Sequence, residues 1–249
     1  MSEIELVRTI EEVSMNAWPA LQTVHADGWV LRFGGGYTRR ANSVHPLYPS
    51  TGDLDERVRF CEKLYGGQGL ATTFKLTKAA LPTDLDARLA DRGYHTDAST
   101  GVQVMDLRGW SGRPQPAVTL AETPTHAWLS GYCRMSGVSD DHRVTLERIL
   151  QSILPARRFA SISVDGKVIA CGLGVLQCGF IGFYDIVTDA AFRRQGHAIQ
   201  LIESLLSWAR EQSARRAYLQ VVLSNAPALA LYARLGFREL YRYWYRAMA

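Results

Sequence analysis

Apolar positions along this chain change period repeatedly, and the changes outline alternating helices and strands. In the second half, residues 125–135 and 141–154 carry apolar side chains at helical spacing, and Pro155 ends the second run. Residues 159–164 and 167–176 are strand-like and meet at Asp165-Gly166, a dipeptide suited to a two-residue hairpin turn. Residues 180–188 form another strand. Ala198, Leu201, Ile202, Leu205 and Ala209 then recur every three or four positions, while Gln200, Glu203, Ser207 and Arg210 face the other way, which predicts an amphipathic helix. Residues 217–223 are a strand, Asn225 opens a short helix that stops at Gly236, and 241–248 closes as a strand.

The first half repeats the end of this pattern. Leu54, Val58, Cys61 and Tyr65 mark an amphipathic helix, followed by a strand at 71–77, a short helix at 85–93 and a strand at 101–107. Gly93-Tyr94 precedes Met105 by the same 12 residues that separate Gly236-Phe237 from Met248. The segments LDARLADRGY and LALYARLGF are alike in type and place, so a tandem duplication is expected. Between the halves, RGWSGRPQPA at 108–117 has two prolines and two glycines and reads as a linker. The expected domains are therefore 1–110 and 118–249, with 111–117 between them.

Composition adds limits. The chain has 249 residues, 47% of them hydrophobic and 21% charged, which excludes a disordered or collagen-like chain. Residues 1–110 carry 12 Lys and Arg against 14 Asp and Glu, so the net charge of +4 arises from a second half at +6. An anionic partner belongs there. That excess is too thinly spread to argue for nucleic acid, and no aromatic-interleaved basic stripe accompanies it. Cys61, Cys133, Cys171 and Cys178 have no metal-like spacing, and with no signal peptide they predict a reduced, cytoplasmic protein without a metal. The uncharged run 168–184 is shorter than the roughly 20 apolar residues of a membrane span and is interrupted by glycines, so two buried strands are expected instead.

The chemistry concentrates in two stretches. Residues 185–199, DIVTDAAFRRQGHAI, carry a strand into a loop spaced RxxGxA that opens directly onto a helix. The first N–H groups of a helix lack partners and its dipole places positive charge there. Gly196 and Ala198 let a ligand approach the backbone, which makes a cradle for a diphosphate. A Walker A reading fails for want of Gly-Lys-Ser/Thr, and GxGxxG fails on spacing. Residues 225–237, NAPALALYARLGF, follow at a suitable distance.

Together the two stretches resemble the GNAT superfamily of acetyl-CoA-dependent N-acetyltransferases, over roughly residues 118–249. The resemblance implies an α/β (α+β) fold with a mixed, splayed sheet flanked by helices, and acetyl-CoA wedged in the splay. It implies backbone contacts to the acetyl-pantetheine arm at Ile186, Val187 and Thr188. It places the diphosphate against Arg193, Arg194, Gln195, Gly196, His197, Ala198 and Ile199, mostly through backbone N–H groups. Asn225 reads either as a helix N-cap, helped by Pro227, or as a pantetheine ligand. Tyr232 resembles the general acid, and its phenol, with an ordinary pKa of about 10, is protonated and ready to donate to a departing thiolate at neutral pH.

Other roles stay open in the sequence. The position where several relatives carry a glutamate is Gln220, which cannot act as a base. Asp185 is near, but strand alternation sets it opposite Tyr184 and Ile186. The oxyanion falls to the N–H of Val187 or Thr188. The acceptor amine, on a small molecule or a peptide, is expected near Ser139, Asp140, Asp141 and His142 and near Tyr241, Tyr243, Trp244 and Tyr245. Asp140 or Asp141 also suits a helix cap. In the first half, 41–58 replaces the diphosphate loop, and Asp53, Asp55 and Glu56 at the helix start would repel phosphate. That half therefore reads as a degenerate GNAT-like copy. Trp18, Trp29, Phe33 and Gly34-Gly35-Gly36 suit either a hairpin lid or plain packing. A non-catalytic acyl-CoA sensor is the alternative function, and a nucleic-acid module a third.

Overall fold

A computed structural model describes residues 2–248. In chain order the elements are α1 (Glu3–Ala17), β1 (Gln22–Ala26), β2 (Trp29–Phe33), β3 (Val44–His45), α2 (Leu54–Gly67), β4 (Thr73–Thr77), α3 (Leu85–Asp91), β5 (His95–Asp106), β6 (Thr119–Ala121), α4 (His126–Ser136), α5 (Asp140–Gln151), β7 (Ala156–Val164), β8 (Lys167–Gln177), β9 (Phe180–Thr188), α6 (His197–Glu211), β10 (Arg216–Val222), α7 (Ala226–Arg234) and β11 (Arg238–Ala247). Two compact units share them. One holds the chain up to Gly101, Val222–Ser224 and everything from Tyr241 onward, and the other holds Val102–Val221 and Asn225–Leu240.

The first unit starts with a helix fixed by a capping box, in which Ser2 accepts from the Glu5 N–H and the Glu5 carboxylate accepts from the Ser2 N–H. β1 and β2 form a hairpin turning at Asp27-Gly28, both at positive φ. β3 is antiparallel to β2 and parallel to β4, and β4 pairs antiparallel with the Tyr243–Ala247 part of β11. Trp29, Leu31, Val58, Tyr65 and Phe74 build the core. Trp18 and Trp29 are fully buried, and the N–H groups of Gly34 and Gly36 donate to Asn42 Oδ1 at 2.8 and 3.0 Å. Trp18, Trp29 and Phe33 are therefore packing residues of this unit.

Under β4 lies a buried polar cluster. Glu11 accepts from Lys75 Nζ at 2.5 Å and from the Tyr241 hydroxyl at 2.6 Å, and Lys75 sits 4.0 Å from the centre of the Tyr243 ring. His45 Nδ1 is 3.9 Å from Glu11, and its Nε2 is 3.1 Å from Ser43 Oγ. Burial, together with the Arg32 and Lys75 charges, pushes the His45 imidazole well below its ordinary value, so it stays neutral. Tyr241, Tyr243 and Tyr245 are therefore core residues of this unit, and Trp244 instead donates to Asp86 at 2.8 Å.

In the second unit β10 runs parallel to β9, and β9, β8, β7 and β6 follow as antiparallel neighbours. The α6 residues Leu201, Ile202, Leu205, Leu206 and Ala209 press onto this sheet. The stretch expected as a linker lies on the same unit and is anchored to α6. The Gln115 N–H donates to Ser204 Oγ at 2.9 Å, its side chain donates to Glu203 at 2.7 Å, and Arg210 donates to the carbonyls of Leu107 and Trp110. No helix among the described residues is long and apolar enough to cross a membrane.

Candidate active site

The parallel pairing of β9 and β10 covers Phe180–Phe183 against Arg216–Leu219 and then stops. Beyond it, residues 186–188 have no ladder partner on β10. The floor where pairing ends is closed by two phenols, Tyr184 and Tyr218, whose hydroxyls lie 2.7 Å apart. They fit only because Gly182 has no side chain: a Cβ there would stand 2.5 Å from the Tyr218 ring and 2.8 Å from Tyr184.

A β-bulge re-aims the end of β9. Cys171 pairs with Val187 and Leu173 with Tyr184, so Gly172 alone faces Asp185 and Ile186. Asp185 sits at φ +55, and the alternation expected through Tyr184, Asp185 and Ile186 is interrupted there. Its carboxylate accepts from the Tyr132 hydroxyl at 3.0 Å, and Tyr132 stacks on Trp128. Past the bulge, the Asp189 N–H donates to the Ile169 carbonyl of β8 at 2.8 Å. Alternation then turns the Val187 N–H toward β8 and the Thr188 N–H toward the open side.

The loop after β9 leads straight onto α6. Asp189 accepts from the Ala191 N–H and is gripped by Arg134 of α4, with Lys167 at 3.8 Å. Arg193 Nε bends back to the Thr188 carbonyl at 3.4 Å. Arg194 and the N-cap Gly196 both adopt positive φ, at +62 and +84. No side chain caps this helix, so the N–H groups of His197, Ala198 and Ile199 emerge together. A Cβ on Gly196 would meet open space, so the glycine serves its backbone conformation and not a tight contact. Both ring nitrogens of His197 and Oε1 of Gln200 are buried without a hydrogen-bond partner among the described residues. An anionic, hydrogen-bonding ligand fits such a helix start.

Asn225 is the N-cap of α7, its Oδ1 accepting from the Ala228 N–H at 3.2 Å, with Pro227 in the first turn. Tyr232 lies one face on the apolar cluster that Ile186 and Phe192 also border, in edge contact with Phe237. Its hydroxyl has no hydrogen-bond partner among the described residues, and burial pushes the phenol up to about 12. Of the expected acceptor residues, Ser139 caps α5 by accepting from the His142 N–H, while Asp140 and Asp141 fill its first turn. The cap is thus Ser139 and neither aspartate. No group of three His, Cys, Asp or Glu able to hold a metal ion occurs among the described residues. No local sequence pattern marks the Arg134–Asp189 and Tyr184–Tyr218 pairs, since each joins residues more than thirty positions apart.

A splayed parallel pair feeding an uncapped, glycine-led helix defines the chain as a GCN5-related N-acetyltransferase, an acyl-CoA-dependent enzyme class. The fold is shared with a GCN5-related N-acetyltransferase from Kribbella flavida, at a TM-score of 0.70 and 15% identity over 96% of this chain and 94% of that one. It is shared too with a tandem GNAT protein from the clavulanic acid biosynthesis pathway, at a TM-score of 0.63 and 14% identity over 96% and 87%. Within the class, the chain belongs to the family described as probable histone acetyltransferase Rv0428c C-terminal, which matches residues 3–246. YobR of Bacillus subtilis (strain 168), described as an uncharacterized N-acetyltransferase, is 27% identical over 96% of this chain and 98% of its own length.

Proposed function

We propose that the second unit moves an acetyl group from acetyl-CoA to a primary amine by direct attack in a ternary complex. The observation that carries this reading is the split of β9 from β10 running without interruption into the uncapped start of α6. The pantetheine arm lies in the split against Ile186, Val187 and Thr188, and the diphosphate on the amides of Arg194–Ile199 with Arg193 beside them. The amine nitrogen attacks the thioester carbonyl carbon, and the Thr188 N–H, turned to the open side, receives the developing oxyanion. The C–S bond then breaks, the thiolate takes the proton of Tyr232, and the proton that the acetylated nitrogen releases passes through water and restores the phenol. A phenol raised to about 12 is a weak acid, but the thiolate beside it is an anion in the same water-poor place, and its affinity for a proton rises for the same reason.

Asn225 supports α7 through its oxygen and has its amide N–H groups left for the pantetheine arm. The first unit supports the reading of a degenerate copy. It repeats the order of hairpin, parallel strand pair with an intervening helix, short helix and long strand. Asp53 caps α2 where a cradle would be, accepting from the Glu56 N–H at 2.9 Å.

Thiol release with a panel of amines tests the reaction, and the family's description makes a lysine-bearing peptide one member of that panel. Tyr232→Phe is expected to cut turnover about a hundredfold, within the range of general-acid contributions, while acetyl-CoA affinity stays near that of the parent. Equal turnover in the variant removes Tyr232 from the reaction, and absence of thiol release with every amine and peptide opposes the whole reading.

A further inference from the structure

At the opposite end of β9 and β10 lies a cavity of about 530 Å3, lined by Asp106, Arg108, Cys178, Phe180, Arg215 and Arg216. Phe180 and Arg216 face each other where the parallel pair begins, whereas residues 186–199 stand where it ends. Six steps of strand lie between Phe180 and Ile186, at most roughly 20 Å at about 3.3 Å per residue. Acetyl transfer uses none of these residues.

Three arginines and one aspartate line the cavity. Arg108 takes that carboxylate for itself, with Nη2 and Nε on Asp106 Oδ2 at 2.6 and 2.9 Å. Arg215 and Arg216 make no salt bridge among the described residues. Their backbone is nonetheless rigid, since both N–H groups donate to the Gly179 carbonyl at 2.8 and 3.2 Å and the Leu107 N–H donates to the Arg215 carbonyl at 2.9 Å. The Arg216 guanidinium lies 5.7 Å from the centre of the Phe180 ring. One carboxylate, already bonded to Arg108 and only within electrostatic reach of Arg216, against three arginines leaves the concavity net positive and focuses a potential that an anion relieves. The planar fork of arginine matches a phosphoryl group, and the buried Phe180 ring supplies an apolar wall beside it.

We propose that this cavity binds a phosphoryl oxyanion, on a small molecule or on a nucleic-acid strand, through Arg215 and Arg216. The site is independent of the acetyl-CoA cradle. To test it, protein saturated with coenzyme A, so that the cradle is filled, is titrated calorimetrically with inorganic pyrophosphate and separately with a short single-stranded oligonucleotide. Binding of either that weakens about tenfold for each arginine lost, in Arg215→Gln and in the Arg215→Gln/Arg216→Gln pair, supports the site, and the better titrant assigns its source. Arg216→Lys keeps the charge without the fork and is expected to fall between parent and Arg216→Gln. Arg215 is exposed, so Arg215→Gln alone carries the comparison if the double variant fails to fold. No binding of either titrant at millimolar concentration, or binding that Arg215→Gln and the double variant leave unchanged, overturns the proposal.

Discussion

Two side chains in the second unit show how single atoms set the limits of the site. Tyr232 is buried on one face and unpartnered at its hydroxyl, and its pKa rises from 10.0 to about 12 through desolvation alone. The protonated form is the one that donates, so a higher pKa extends activity upward in pH. Turnover is expected to show no alkaline loss attributable to this phenol at pH 10.0, where an ordinary tyrosine would be half ionised. A pH–rate profile on the parent and on Tyr232→Phe checks this, and an alkaline limb near 10 present only in the parent would refute it. Gly182 acts by omission. Alanine there would drive a methyl group into the rings of Tyr184 and Tyr218, both nearly fully buried and unable to turn away. The expected cost is about 2 kcal/mol, typical of overpacking, measurable by urea unfolding. Gly172→Ala meets only the far end of Ile186, which is partly exposed and free to change rotamer, so its cost is expected to be smaller.

At the scale of elements, the two helix starts of the site divide the labour differently. α6 begins at a positive-φ glycine with no cap, whereas α7 begins at an asparagine that caps it. Gly196→Ala is expected to cost about 1 kcal/mol of backbone strain and to weaken acetyl-CoA binding, because relaxing φ rotates the amides of residues 196–198. Asn225→Asp separates cap from ligand: the carboxylate still accepts the Ala228 N–H, but the amide donor is gone. Unfolding is expected to stay near the parent while acetyl-CoA affinity falls, and unchanged affinity in calorimetry would leave Asn225 as a cap alone. Most elements of the second unit were legible within a few residues, because hairpin dipeptides, the amphipathic period of α6 and the Asn-Pro start of α7 are local signals. The bulge at Asp185 was not legible, since it depends on a partner strand that the sequence does not identify. In the first unit Asp27-Gly28 carries the same hairpin signal as Asp165-Gly166, while α1 is masked by Glu11, a charged residue on its buried face.

For the molecule as a whole, the division of the chain follows strand pairing and not sequence order. β11 leaves the second unit after Leu240 and completes the first by pairing with β4, which no linear boundary near residues 111–117 anticipates. Non-local pairing is the part of a fold that composition and period leave undetermined. That closing strand also bears on how many acetyl-CoA molecules the chain takes. It brings Tyr241 to Glu11, and Glu11 holds Lys75 of β4, so polar side chains pack beside the one residue pair, Val44 and Phe74, that joins the parallel strands β3 and β4. Removing one partner of such a pair leaves a buried charge uncompensated and costs about 3–5 kcal/mol, so this cluster does not open readily to a ligand. The start of α2 is acidic as well: Asp53 accepts from the Glu56 N–H, Asp55 and Glu56 follow, and Asp55 is already paired with Arg92 at 2.7 Å. An incoming diphosphate would meet three carboxylates there. One acetyl-CoA per chain is therefore expected in calorimetry, with its affinity lowered when the start of α6 is altered by Gly196→Ala. A stoichiometry of two would show that the first unit keeps a working cradle, and binding that survives Gly196→Ala unchanged would place the cofactor elsewhere than on α6.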